Sequence, residues 1–198
     1  MLVLILGLVV FLGIHSTRIV ADDWRSARIA SLGERKWKGL YSIAALVGIV
    51  LIVWGYGMAR TAPVVLWNPP LWTRHLASVL VLIAFVMIVA AYVPRNHFKA
   101  AFGHPMFAGV KTWALAHLLS NGTLADLLLF GGFLAWSILG FRSARRRDRE
   151  AQVSYPAGTA RGTVVCLVVG AVAWAIFELC PDKALVSSYR RKLSARLY

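Results

Sequence analysis

The amino-acid sequence predicts an all-α protein, a polytopic transmembrane helical bundle of about six spans. Of its 198 residues, 59% are hydrophobic and only 15% are charged, and the mean hydropathy is +0.68. A soluble domain of this size could not cover so much apolar surface with the polar residues that remain. Several runs approach the roughly 20 apolar residues that cross a bilayer. The lipid bilayer is therefore the first expected partner.

The basic residues of the chain lie between its hydrophobic runs. There are 22 Lys and Arg against 8 Asp and Glu, which gives a formal net charge of +14. Basic residues beside membrane spans mark the cytoplasmic side and are attracted to anionic lipids. The run RSARRRDR at 142–149 is therefore interpreted as a cytoplasmic anchor, and no nucleic-acid partner is expected.

The first three spans are separated by two connectors of different character. Residues 2–20 follow Met1 without a basic n-region or a cleavage site, so they are interpreted as a retained membrane helix. A charged connector of short amphipathic character leads to a second span at about 39–59. The next loop contains three of the seven prolines, which cannot continue a helix, and a third span covers roughly 73–93.

The other three spans are predicted in the second half of the chain. The fourth, HPMFAGVKTWALAHLLSNG at 104–122, has Pro105 in its first turn and closes at Asn121-Gly122. The fifth, at 124–141, runs directly into the arginine-rich run. The sixth covers about 162–180.

This order of spans divides the chain into three parts. We expect a core of five transmembrane helices at 1–147, a basic cytoplasmic connector at 148–161, and a last helix with a basic tail at 162–198. The distribution of Lys and Arg among the connectors predicts an N-terminus outside the cytoplasm, in a bacterial inner membrane. Six spans would place the basic tail outside as well, which conflicts with the same rule.

Two histidines lie inside predicted spans, where an ionisable residue is costly and usually faces a cavity, a cofactor or a partner side chain. His15 is about 7 Å from the end of the first helix, if that helix ends near Val20. His117 shares a helix face with Trp113 and Asn121, at i−4 and i+4. Two histidines on facing helices can supply both axial ligands of a haem iron.

The residues near these histidines leave two interpretations open. Arg18 is one turn beyond His15, where it is placed to pair with a haem propionate. The alternative role for each histidine is a hydrogen bond between helices, which is common in membrane bundles. His104 precedes Pro105 and is interpreted first as the start of a helix.

The sequence contains few other signals for chemistry. Asp126 is the one carboxylate in a central hydrophobic stretch, and because it closely follows a turn it is interpreted as an N-terminal helix acid. Cys166 and Cys180 form no Cys-x-x-Cys motif, so a haem would be bound non-covalently. The chain has no Gly-x-Ser-x-Gly, Walker or His-Glu-x-x-His motif.

Several segments together resemble the NnrU family, from the N-terminus to about residue 147. They are GIHSTRIV, ADDWR, GERKWKGLYSIAALVG, WNPPLWTRHL and HPMFAGVKTWALAHLLSNG. The resemblance implies an integral membrane protein associated with nitrite and nitric oxide metabolism in denitrification. The same family includes, at greater distance, the 15-cis-zeta-carotene isomerases, which are integral membrane proteins that use haem b.

The similarity to the isomerases implies which residues would hold a haem. Their haem histidines match His15 and His117, and His104 matches another histidine of the shared pattern. A cysteine implicated as an alternative iron ligand would fall at Ala114, so a ligand exchange is not expected here. If the fourth helix starts at Pro105, His117 rises about 18 Å, and the two ligands are poorly matched in depth. His15 with His104 is then the second possible pair.

Three functions follow from these observations. The leading prediction is an NnrU-type membrane protein that binds haem b between helices one and four and acts in nitrogen-oxide metabolism, with nitric oxide as a candidate ligand. The second is a haem-dependent cis–trans isomerase of a lipophilic polyene such as zeta-carotene, with Trp113, Phe107 and Phe130 along a tunnel. The third is a cofactor-free accessory protein for other membrane complexes.

Overall fold

A computed structural model describes residues 1–179, and every regular element within them is a helix. The basic tail and Cys180 lie outside the described residues. The helices are α1 (Leu2–Val20), α2 (Asp22–Leu32), α3 (Glu34–Ala59), α4 (Trp72–Tyr92), α5 (His97–Phe102), α6 (Pro105–Ser120), α7 (Leu124–Glu150) and α8 (Ala160–Leu179).

Five of these helices, α1, α3, α4, α7 and α8, are long and apolar enough to cross a membrane. The prediction of a multi-pass helical bundle is confirmed, with one span fewer by this criterion. The expected fourth span is α6, which has 16 residues and a length of roughly 24 Å. It is short because Pro105 begins it, while extended backbone at Asn121 ends it.

Two spans continue further than their apolar runs. Helix α3 begins at Glu34 rather than near residue 39, and α7 continues through the arginine-rich run to Glu150. Lys, Arg and Glu have good helix propensity, so a helix can continue where its hydrophobic segment ends. The arginines therefore lie on the exposed extension of α7.

Helix α7 begins at a capping box. The Thr123 hydroxyl accepts a hydrogen bond from the Asp126 backbone N–H, and the Asp126 carboxylate accepts one from the Thr123 backbone N–H, at 3.2 and 3.0 Å. This reciprocal pair satisfies two backbone donors that a helix start leaves free. The interpretation of Asp126 as an N-terminal helix acid is confirmed.

The helices pack in a row, in the order α3, α1, α7, α6, α4 and α8. The short helix α6 therefore lies between α7 and α4, which cover it on two sides. The row has two ends. We name the "basic end" the one at which α1 and α7 end and α3 and α6 begin. The "loop end" is the opposite one, where residues 60–71 connect α3 to α4 and Gly122 connects α6 to α7.

Helices α1 and α3 approach each other at glycines. A Cβ at Gly7 would lie 2.6 Å from the backbone nitrogen of Ile52, and one at Gly48 would lie 2.8 Å from the backbone nitrogen of Phe11. Small residues let helix backbones come this close in a membrane, where dispersion contacts replace the hydrophobic effect as the main attraction. This close contact fixes α1, and therefore His15, against α3.

At the loop end, the proline-containing loop is hydrogen-bonded to the turn before α7. The backbone N–H groups of Leu66 and Trp67 donate to the Gly122 carbonyl at 2.8 and 3.1 Å, and Leu124 N–H donates to the Val64 carbonyl at 2.9 Å. A Cβ at Gly122 would overlap the Trp67 carbonyl oxygen. Only glycine therefore fits at this position.

Candidate functional sites

The candidate histidines line two separate cavities. The first, here called the His15 cavity, has a volume of about 770 Å³, lies at the basic end and contains both His15 and His104 in its wall. The second, called the His117 cavity, has a volume of about 690 Å³ and lies at the loop end. Both volumes fall in the range of roughly 300–1,000 Å³ that is typical of cofactor and ligand pockets.

The hydrogen bonding of His15 determines which ring nitrogen is free. Its Nδ1 lies 2.7 Å from the Phe11 carbonyl oxygen in the preceding turn of α1. A carbonyl oxygen only accepts, so Nδ1 carries a proton, and in the neutral imidazole Nε2 then carries the lone pair. A backbone carbonyl on one imidazole nitrogen is the usual arrangement when the other nitrogen binds a metal. His15 is therefore ready to act as a ligand through Nε2.

Aromatic side chains form the apolar wall beside His15. The ring centroids of Tyr41 and Trp136 lie 5.2 and 6.1 Å from that of His15, and Phe107 lies 5.1 Å from Trp136. The Trp136 indole N–H is buried and has no hydrogen-bond partner among residues 1–179. A buried donor without a partner is costly, so a ligand with an acceptor atom near this indole would be stabilised.

The rim of the His15 cavity is rich in cations. Lys38 and Arg25 form ion pairs with neighbouring acids of their own helices, at 2.8 and 3.7 Å. Arg18 and Arg147 form no ion pair within the described part of the chain. Arg147 donates to the Arg18 carbonyl oxygen at 3.2 Å, which brings the two residues together. This rim is suited to a ligand that carries two carboxylates.

His104 lines the same cavity but is held by two other side chains. Its Nε2 lies 2.8 Å from Asp148 Oδ2 and 3.2 Å from the Tyr155 hydroxyl, and that hydroxyl donates to the same Asp148 oxygen at 2.8 Å. A carboxylate only accepts, so His104 Nε2 carries the proton of this hydrogen bond and is not available as a metal ligand. The three residues connect the start of α6, the end of α7 and the loop before α8.

We expect this three-residue cluster to contribute to stability only while Tyr155 is neutral. Burial and the hydrogen bond to Asp148 raise the pKa of Tyr155 to about 12 from 10.0. A pKa raised by folding means that the contribution is complete below pH 10 and is lost as the pH rises toward 12. The difference in unfolding midpoint between the wild type and Tyr155→Phe should therefore be constant below pH 10 and shrink above it.

The measurement is thermal unfolding in detergent across this pH range. Tyr92→Phe is the matched control, because the Tyr92 side chain is 74% exposed and makes no side-chain hydrogen bond in the described residues. A difference between wild type and Tyr155→Phe that did not change between pH 8 and 12 would contradict the assignment.

His117 lies in a different environment. Its ring stacks on Phe130 with centroids 4.4 Å apart and meets the edge of Trp113 at 5.2 Å. The Asn121 amide nitrogen lies 3.4 Å from His117 Nδ1, and an amide nitrogen only donates, so this long contact favours a lone pair on Nδ1 and a proton on Nε2. Trp113 and His117 share a face of α6 as expected, while Asn121 follows the end of the helix, and all three line the His117 cavity.

The structure brings His15, His104 and Arg18 together and keeps His117 apart from them. His15 contacts Trp136 on α7, whereas His117 contacts Phe130, six residues earlier on the same helix. Six helical residues correspond to a rise of about 9 Å. The three aromatics expected along a polyene tunnel are also divided. Phe107 lines the His15 cavity, while Trp113 and Phe130 line the His117 cavity.

Sequence reasoning did not find the partners that α7 and α3 contribute to the His15 cavity. Tyr41, Trp136, Arg147 and Asp148 all lie in its wall. One signal was available, because Asp148 is the single acid inside the run RSARRRDR. The other three resemble ordinary packing or anchoring residues in the sequence. Within residues 1–179, no three His, Cys, Asp or Glu side chains are grouped closely enough to bind a metal ion by themselves.

Comparison with known proteins identifies the chain at the family level. The model of a family described as NnrU protein matches residues 3–187, which is nearly the whole chain. The match continues past residue 147, where the resemblance seen in the motifs ended, and includes α8. No curated protein and no solved structure matches the sequence.

Proposed function

The chain belongs to the NnrU family, and we propose that this multi-pass membrane protein binds one haem b in the His15 cavity and acts in nitrite and nitric oxide metabolism. The observation that carries the proposal is the 2.7 Å hydrogen bond from His15 Nδ1 to the Phe11 carbonyl. It leaves Nε2 free on the wall of a cavity that has aromatic walls and a cationic rim.

The residues around His15 fit the chemistry of haem b. Tyr41, Phe107 and Trp136 provide flat apolar surfaces for a porphyrin, and the buried indole N–H of Trp136 lacks an acceptor among the described residues. Arg18 and Arg147 both line the cavity and would be the cations for the two propionates. The group would be held without covalent attachment, by ligation from His15, stacking on the aromatic side chains and ion pairing with the arginines.

We propose His15 as the single protein ligand. The His104 ring is held at Nε2 by Asp148 and by the Tyr155 hydroxyl, and His117 lines the other cavity. A haem held by His15 alone would be able to bind a diatomic gas at its iron, and nitric oxide is such a gas. His104 would then act as a hydrogen-bonding group in the same cavity, not as a ligand.

We also propose how the protein is oriented in a bacterial inner membrane. The basic end contains the arginine-rich end of α7 and the Lys and Arg residues that begin α3, whereas the loop end has few cations. Basic residues are retained on the cytoplasmic side. The basic end, with the His15 cavity, would thus face the cytoplasm, and the N-terminus would lie outside it.

The test is a visible spectrum of the detergent-purified protein, oxidised and reduced, from haem-supplemented cells. The wild type and His117→Ala should show a Soret band and the single broad reduced band of a haem with one imidazole ligand, and His15→Ala should lose them because the free Nε2 is gone. His15→Gly with added imidazole should recover the bands, since imidazole can occupy the space of the deleted side chain. Nitric oxide added to the reduced wild type should shift the Soret band.

Other results would favour the other functions. A colourless wild type would contradict haem binding and leave a cofactor-free accessory role. Loss of the bands in both His15→Ala and His117→Ala, with both variants folded, would favour paired histidine ligands. Conversion of zeta-carotene by the haem-loaded protein would favour the isomerase.

A further inference from the structure

The end of α7 carries four arginines on one face. Arg142, Arg145, Arg146 and Arg149 follow the spacing i, i+3, i+4 and i+7, which places their side chains in one stripe along a helix. All four are exposed. Arg146 makes one long ion pair with Glu150, at 3.7 Å, and the other three make no ion pair in the part of the chain that the structure describes.

Two charged residues that lie between these arginines in the sequence face elsewhere. Arg147 and Asp148 are half-buried and line the His15 cavity. Arg147 is bonded to the Arg18 carbonyl, and Asp148 to His104. The end of α7 therefore has two distinct faces. One completes the His15 cavity, and the opposite one carries the exposed arginine stripe. The stripe would therefore take no part in holding a haem in the His15 cavity.

An apolar surface continues directly from the arginine stripe. The four arginines line a groove of about 560 Å³ together with Leu139, Phe141 and Ile19, which comes from the end of α1. Leu139 is 55% exposed at the membrane-facing part of α7. The Lys111 ammonium lies 5.4 Å from the centre of the Phe141 ring and adds a fifth cation nearby. Basic side chains thus line one side of the groove, and apolar side chains line the other.

We propose that this groove is a binding site for an anionic phospholipid. The phosphate would lie among Arg142, Arg145 and Arg149, and an acyl chain would lie on Leu139 and Ile19. Charge complementarity favours a headgroup with net negative charge, because no acid lines the groove. The apolar floor favours a lipid over a free phosphate, which would leave that floor exposed. The site is independent of whether the His15 cavity binds haem.

The test is native mass spectrometry of the full-length detergent-solubilised protein, titrated with phosphatidylglycerol and, separately, with phosphatidylcholine. We expect tighter binding of phosphatidylglycerol. The double variant Arg145→Gln/Arg149→Gln should bind it roughly 30-fold more weakly, from the typical contribution of two basic residues near a lipid surface. Arg145→Lys/Arg149→Lys, which keeps the charge, should lose much less.

The matched control removes the same charge elsewhere at the basic end. Arg35 and Lys36 are exposed in the first turn of α3 and do not line the groove. Arg35→Gln/Lys36→Gln should bind phosphatidylglycerol like the wild type. Equal losses of phosphatidylglycerol affinity in the two Gln double variants would overturn the proposal, because they would show only a general attraction between the lipid and basic residues. Equal binding of the two lipids, or displacement of phosphatidylglycerol by millimolar inorganic phosphate, would also overturn it.

Discussion

Asp126→Ala is expected to lower the free energy of unfolding by about 3–5 kcal/mol, the largest loss among the single substitutions considered. The Asp126 side chain is 4% exposed and accepts from the Tyr56 hydroxyl at 2.5 Å and from both the backbone and the hydroxyl of Thr123, at 3.0 and 2.6 Å. Alanine would leave these donors without their acceptor in an apolar environment. It would also remove the capping box of α7 and its only direct polar connection to α3 among the described residues.

The measurement is a denaturant titration of the protein in mixed micelles. Tyr56→Phe removes one of the three hydrogen bonds and leaves the cap, so it should cost about 1–2 kcal/mol. Leu127→Ala changes the next residue, which is 41% exposed, and should cost much less. Equal losses for Asp126→Ala and Leu127→Ala would show that the hydrogen-bond network does not contribute as proposed.

Gly7→Val is expected to destabilise the bundle by about 3 kcal/mol through overpacking. The added Cβ would lie 2.6–2.9 Å from atoms of Leu51 and Ile52, and two of the three nearest atoms belong to the α3 backbone. A backbone atom cannot rotate away as the end of a flexible side chain can, so α1 would have to move off α3. Since α1 carries His15, the same change should also reduce any haem content of the purified protein.

Gly13→Val is the matched control for this prediction. Gly13 lies on the same helix, and a Cβ there would meet nothing within 4 Å. Both variants replace glycine by the same β-branched residue, so effects on helix propensity largely cancel in the comparison. Gly13→Val should change the free energy of unfolding by about 0.5 kcal/mol or less. Similar losses in both variants would show that helix propensity, and not packing on α3, is responsible.

The contacts of Gly7 and Asp126 hold α1 and α7 in position against α3. The His15 cavity depends on the positions of these two helices. Helix α1 supplies His15 and Arg18, and α7 supplies Trp136, Arg147 and Asp148. The Gly7 contact sets the distance of α1 from α3, while Asp126 connects the start of α7 to α3. The cavity is therefore held by contacts that lie far along the helices from the cavity itself.

Hydropathy was sufficient to predict the five helices that are long and apolar enough to cross a membrane. Hydrophobic runs marked α1, α4 and α8 to within about two residues, because a span of a given length must be apolar whatever it packs against. Local chemistry also determined helix ends, as at Pro105 and at the Thr123–Asp126 capping box, since these depend only on residues a few positions apart.

Which histidines share a cavity could not be predicted from the sequence. Spacing along one helix placed Trp113, His117 and Asn121 together, but the pairing of His15 with His104 or His117 depends on which helices are neighbours and at what depth they meet. The two faces at the end of α7 could not be predicted either. Its arginine-rich run looks uniform in the sequence, but packing against neighbouring helices turns one face into a cavity wall and leaves the other as an exposed stripe. Rotation and depth of a helix are set by packing against other helices, and a hydropathy pattern contains little information about either.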